Sequence, residues 1–164
     1  MTTEAGVLDT SLDVVELDVP AHPAYVAVVR TAAAGLAARA DLTLDRIEDL
    51  RIAVDEACAL LLHRREGDDP YGTLSDPSAD DPADDPADDP AEDVTIHCLF
   101  TVEEDALTVD ISGARVTLPD PSAFAWAVMD ALVDSLRTGE DLENPDGPMT
   151  WLRLSVRSGA GSWT

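Results

Sequence analysis

No regular element can run through the stretch from Gly67 to Asp93. Its second half reads DDPADDPADDPAED, a four-residue unit of two Asp, Pro and Ala. A proline at every fourth position removes a backbone donor that a helix or a ladder needs, and the flanking carboxylates repel one another. From Glu66 to Asp93 there are 12 acidic residues and no basic ones, half of the formal net charge of −24. Carboxylate clusters can hold calcium, but only where a turn, usually at Gly, folds the ligands inward. The segment is therefore read as a solvated, disordered loop, and a fold must be built from the patterned blocks on either side of it.

The first block opens as a strand. Val15, Leu17 and Val19 alternate with Glu16 and Asp18, the period of a sheet with one buried face. Pro20 stops it, and Pro23 suits the first turn of a helix, where its missing N–H is not needed. Tyr25, Val29, Ala32 and Leu36 then recur at helical spacing, with Val26 and Ala33 beside them. A second helix starts at the N-cap Thr43, with Asp45 and Glu48 near its positive end. Its apolar stripe is Ile47, Leu50, Val54, Ala57, Cys58 and Leu61, and Arg64 and Arg65 stand in the last turn, where cations are favourable.

In the second block Val94, Ile96, Cys98 and Phe100 alternate with Thr95, His97 and Leu99. Leu107, Val109 and Ile111 do the same after Glu103-Glu104-Asp105, which predicts a hairpin. Asp120 or Ser122 caps a third helix with the stripe Ala125, Val128 or Met129, Leu132 and Leu136. Glu140 to Pro148 reads as a polar turn, and Leu152, Leu154 and Val156 alternate with Arg153, Ser155 and Arg157 in a last strand. The order is strand, helix, helix, acidic loop, strand, strand, helix, strand. It predicts an α+β, two-layer α/β sandwich in which helices cover one face of a mostly antiparallel sheet. One domain over 12–157, interrupted by the loop at 67–93, lies between flexible ends at 1–11 and 158–164.

Composition narrows the role. Hydrophobic residues reach 45% and aromatics only 4%, so the core falls to Ala, Val and Leu. No apolar run approaches the roughly 18 residues of a membrane span, and the start has neither the basic nor the apolar region of a signal peptide. Two cysteines, Cys58 and Cys98, are too few for a disulfide framework, which fits a reduced, cytoplasmic setting. The acidic field repels phosphate backbones, so direct nucleic-acid binding is not expected, whereas a basic protein would be attracted.

The second helix carries a family resemblance. Asp49-Leu50-Arg51-Ile52-Ala53-Val54-Asp55-Glu56-Ala57-Cys58 resembles the N-box helix of the anti-sigma regulatory kinases, a branch of the Hsp90, gyrase and histidine-kinase ATPase superfamily. Ala131-Leu132-Val133-Asp134-Ser135-Leu136 resembles that family's last helix. Phe124-Ala125-Trp126 resembles the Phe-x-Trp start of that helix in the actinobacterial anti-sigma-F type. The resemblance spans Val15 to Val156 apart from the acidic loop and implies a Bergerat-type ATPase-like fold. It further implies a protein that holds a sigma factor inactive and is relieved by an anti-anti-sigma (STAS-type) competitor. Active members also bind Mg-ATP and phosphorylate that competitor on Ser or Thr.

Position by position, the implied chemistry is incomplete. Glu56 stands where the resemblance places the base. The Asn expected one turn later, to hold Mg²⁺, is Leu60, which cannot coordinate a metal. The adenine-reading Asp of an Asp-x-Gly-x-Gly pattern would fall in Ser112-Gly113-Ala114-Arg115-Val116, which has no carboxylate, while Asp110 lies earlier and out of register. Lid glycines align near Ala123 and Ala125, where methyl groups obstruct close backbone approach. Of a late Gly-Thr pair, at Met149-Thr150, only Thr150 remains. Phosphoryl transfer depends on positioning and charge neutralisation, so these losses predict no cofactor, and Glu56 and Thr150 are what a rebuilt Mg-ATP site would use.

Other ligand sets are weaker. Cys58, His63, His97 and Cys98 are zinc-type ligands, but none forms a C-x-x-C pair, and His97 and Cys98 point to opposite faces of one strand. Tyr25 and Arg30, on the first helix and its approach (24–39), together with Phe124 and Trp126, are the expected partner-binding residues; core packing is the competing role for the two aromatics of the third helix. The primary expectation is an anti-sigma regulator working without ATP turnover, with a homodimer through sheet edges or the first helix open to it. An active Ser/Thr kinase with a remodelled site, and an acidic DNA mimic or scaffold using the Asp-Pro repeat, are the alternatives.

Overall fold

The computed structural model describes residues 12–62 and 94–159. The expected acidic loop, His63, Arg64, Arg65 and the two chain ends at 1–11 and 160–164 lie outside the described residues. The elements are β1 (Asp13–Pro20), a single 3-10 turn (Pro23–Tyr25), α1 (Val26–Arg39), α2 (Leu44–Leu62), β2 (Thr95–Val102), β3 (Ala106–Ala114), α3 (Phe124–Leu132), β4 (Ser135–Asp141) and β5 (Met149–Arg157). The five strands form one sheet in the order β1-β2-β3-β5-β4, every neighbour antiparallel.

Alternation in the sequence sets the faces of the central strands. Phe100 of β2 lies opposite Val109 of β3, which lies opposite Leu154 of β5, and Cys98, Ile111 and Leu152 make the next row. All six are buried, and they meet the buried stripe Leu50, Ala53, Val54, Ala57, Cys58 and Leu61 of α2. The small residues Ala33 and Ala37, with Val29, form the buried face of α1. Thr43 caps α2 as expected, its hydroxyl accepting from the Arg46 N–H at 3.4 Å. The hairpin between β2 and β3 closes through Glu103 N–H to Ala106 O at 2.9 Å.

Several expectations are corrected. In β1 only Val19 is buried, and Val15 is 39% exposed; β1 is an edge strand, with a neighbour on one side only among the described residues. Tyr25 ends the 3-10 turn and is 42% exposed rather than part of the α1 stripe. The largest correction is at the third helix, which ends at Leu132. Leu136, assigned to its stripe, belongs to β4, and Glu140 and Asp141 are strand residues rather than turn.

Asp134 accounts for that change. Its carboxylate accepts from the Arg46 guanidinium of α2 at 2.5 Å and from the Arg157 N–H of β5 at 2.7 Å, while its own N–H donates to Ser155 O at 2.9 Å. These bonds hold the chain against β5 and start a ladder before another helical turn can form. The cap of α3 also differs. Ala123 occupies the N-cap with no side-chain bond, and Asp120 instead accepts from the Ser122 N–H and hydroxyl in the turn before it.

Candidate functional site

The region built by α2, the end of β3, α3 and the start of β5 is where the sequence places its chemistry. On α2, Glu56 is half-buried, and its carboxylate has no ion pair or hydrogen bond with another described residue. One turn on, Leu60 packs against the hydrophobic core as an apolar side chain. Asp55, beside Glu56, accepts from the Arg30 guanidinium of α1 at 2.7 Å, so Arg30 is engaged in tying the two helices together. The second oxygen of Asp55 is buried and unpartnered.

The stretch after β3 is pinned on three sides. Arg115 N–H donates to Pro148 O at 3.0 Å, and the Arg115 guanidinium reaches Glu140 at 3.4 Å. The Val116 N–H donates to the Thr150 hydroxyl at 3.1 Å, which in turn donates to Val116 O at 3.4 Å. Thr150 is fully buried, the one polar side chain among the buried residues described, and its hydroxyl proton is used inside the protein. Trp126 donates from Nε1 to Pro119 O at 3.3 Å, fastening the same stretch to α3.

Asp110 lies on the other side of the molecule. Its neighbours Val109 and Ile111 are buried beneath the helices, so Asp110 faces the open side of the sheet, where it pairs with Arg153 at 2.5 Å. Its register thus removes it from the helical side on which Glu56 stands. The described residues fit Mg-ATP poorly: Leu60 offers no donor, no carboxylate stands between Ser112 and Val116, and the Thr150 hydroxyl is engaged with Val116.

The two aromatics of α3 separate. Phe124 is 81% exposed, whereas Trp126 is partly buried against the core. Burial pushes the thiols of Cys58 and Cys98 up to about 12 each, with charge interactions second, so neither is a thiolate at neutral pH. His97 faces away from them and meets Asp18 at 2.8 Å, and no group of three metal-type ligands occurs among the described residues. No described helix is long and apolar enough to cross a membrane.

The family profile of the histidine kinase-like ATPase domain matches residues 19–154. The chain belongs to that family. Within it, the chain is 29% identical over 152 residues to the anti-sigma-F factor RsbW of Mycobacterium tuberculosis, covering 90% of this chain and 76% of that one. It is 43% identical over 68 residues to the serine-protein kinase RsbW of Bacillus velezensis and 40% identical over 68 residues to that of Bacillus subtilis. Each of those two matches covers 42% of this chain and 42% of the relative, so the chain spans less than half the length of these Bacillus proteins. In this histidine kinase-like ATPase domain, the five-stranded antiparallel sheet and the helices packed on it are consistent with the family's fold.

Proposed function

We propose that this chain is an anti-sigma regulator that holds a sigma factor through protein contacts, is relieved by an anti-anti-sigma partner, and does so without ATP turnover. The observation that carries it is the contrast at α2. Similarity to the M. tuberculosis anti-sigma-F factor extends over 90% of the chain, yet the metal-holding position after Glu56 is a core-packed leucine. A protein can lose a metal ligand and keep its binding faces, because association rests on exposed anchors rather than on a cleft. Phe124 and Tyr25 are such anchors; Trp126 and Arg30 support them from within the fold. The surplus of carboxylates favours a basic partner surface, which steers association at low salt.

A second reading, an active Ser/Thr kinase with a rebuilt site, is favoured by one observation. Glu56 keeps a carboxylate unpaired among the described residues, at the family's base position. The reading as an acidic mimic rests on residues outside those described.

The test is capture of partners from the source cell's extract by the purified chain, with Mg-ATP added to half the sample. Recovery of a sigma factor or of a small anti-anti-sigma protein, equally with and without Mg-ATP, is the expected result. Phosphorylation of the captured small protein, or a rise in melting temperature with millimolar Mg-ATP, moves the assignment to the kinase. Capture of neither protein removes the regulator reading and leaves the fold untouched.

A further inference from the structure

The open face of the sheet carries an arrangement that the regulator reading does not use. Eight arginines lie among the described residues, in a chain with 34 acidic side chains. Six are ion-paired: Arg30 with Asp55, Arg39 with Asp13, Arg46 with Asp134 and Asp49, Arg51 with Glu48, Arg115 with Glu140, and Arg153 with Asp110. The remaining two, Arg137 of β4 and Arg157 of β5, have no carboxylate partner among the described residues. Both line one groove of about 560 Å³, and Arg153 lines it with them.

The register sharpens the point. Arg137 lies directly opposite Arg153 across the β4–β5 ladder. Like charges directly opposite one another destabilise a sheet, and carboxylates are abundant in this chain. Asp134, which also lines the groove, is already engaged by the Arg46 guanidinium and the Arg157 N–H. Between the arginines stand the hydroxyls of Ser135, Ser155 and Thr108, the last two 3.1 Å apart. Guanidinium forks beside hydroxyl donors match a carboxylate, which accepts two parallel bonds.

The groove also borders a free edge. β4 ends the sheet, so one side of its backbone has no partner strand among the described residues. A strand added there turns every second side chain to the open face, where the arginines are. We propose that this edge and groove bind an extended acidic segment of a partner protein, its backbone pairing with β4 and its alternate carboxylates meeting Arg137, Arg153 and Arg157.

Other occupants fit less well. A second copy pairing through its own β4 would bring arginine against arginine. The chain's Asp-Pro run suits the charge, but it is built from Asp, Pro and Ala, residues that strands disfavour. Nucleic acid has no peptide N–H and C=O groups with which to continue the β4 ladder. This groove lies on the face of the sheet opposite to the helical side that carries Glu56.

The experiment is fluorescence anisotropy on the full chain with a labelled peptide of alternating Glu and Thr, and a Gln-for-Glu control. Saturable binding is expected, weakened about tenfold by Arg137→Ala and by Arg157→Ala, and lost in the control peptide. Because Arg137→Ala also relieves its repulsion from Arg153, its melting temperature should hold or rise, which separates lost binding from lost folding. Equal binding of the control peptide, or no effect of either arginine variant, overturns the proposal. So does full displacement of the peptide by inorganic phosphate at equal concentration, which would make the groove a simple anion site. A tenfold gain in affinity when the aspartates from Asp80 to Asp89 are replaced by Asn would assign the groove to the chain's own acidic run and overturn the partner.

Discussion

The hydroxyl of Thr150 accepts from the Val116 N–H at 3.1 Å and donates to the carbonyl of the same residue at 3.4 Å. One buried side chain thus replaces a stretch of ladder beyond the end of β3, because Thr150 itself pairs with Gly113, three residues before Val116. Thr150→Val removes both bonds and leaves a buried N–H unsatisfied. A loss of about 1–3 kcal/mol is expected from urea unfolding of the chain alone, with most of it restored in Thr150→Ser. A variant that unfolds at the wild-type midpoint would show that Val116 does not depend on this hydroxyl.

Phe124 and Trp126 should part company under mutation. Phe124→Ser, at a side chain 81% exposed, is expected to change stability by less than about 0.5 kcal/mol while reducing capture of the partner protein. Trp126→Ala removes a partly buried indole and its bond to Pro119, and should cost about 1–3 kcal/mol, below the value for a fully buried tryptophan. Denaturation curves of the two variants beside a binding assay check both halves; equal stability losses would contradict the division.

The thiols give a pH dependence. Burial raises Cys58 and Cys98 from an ordinary value of 9.0 to about 12, so the folded chain keeps protons that the unfolded chain releases. Their contribution to stability is complete below about 9 and is lost as pH rises through about 12. At pH 8 the folded thiolate fraction is about a thousandfold below that of a free thiol, so labelling by a thiol reagent should follow unfolding. Fast labelling of the native chain would contradict the burial.

Gly139 of β4 lies across the ladder from Trp151, and a methyl group there would stand 2.6 Å from the indole ring. The ring covers the glycine in the way that aromatics protect glycines near sheet edges. Gly139→Ala must displace a rigid bicyclic side chain, and a loss of about 1–3 kcal/mol with a shift in tryptophan emission is expected. Thermal melts followed by fluorescence test it, and an unchanged spectrum would place the ring elsewhere.

Much of the layer structure is legible in the sequence, for a reason visible in β2, β3 and β5. Their apolar residues recur at every second position, and a period of two with one buried face leaves one register that buries them all. The stripe of α2 was legible in the same way, and with it the positions of Glu56 and Leu60 one turn apart on that helix. The family resemblance rested on those local patterns, and the profile match over residues 19–154 agrees with it.

What only the tertiary structure decided lies where the pattern is silent. Ser135–Asp141 has one large apolar residue, Leu136, so nothing local marks it as a strand. It is a strand because Asp134 is bonded to α2 and β5 at once, residues distant in sequence. The split between Phe124 and Trp126 and the pairing of Arg30 with Asp55 likewise depend on which neighbouring element each side chain meets. The same holds for the groove of Arg137, Arg153 and Arg157, assembled from two strands. Periodicity encodes which side of an element faces the core; which elements become neighbours is settled by long-range bonds that no short window of sequence contains.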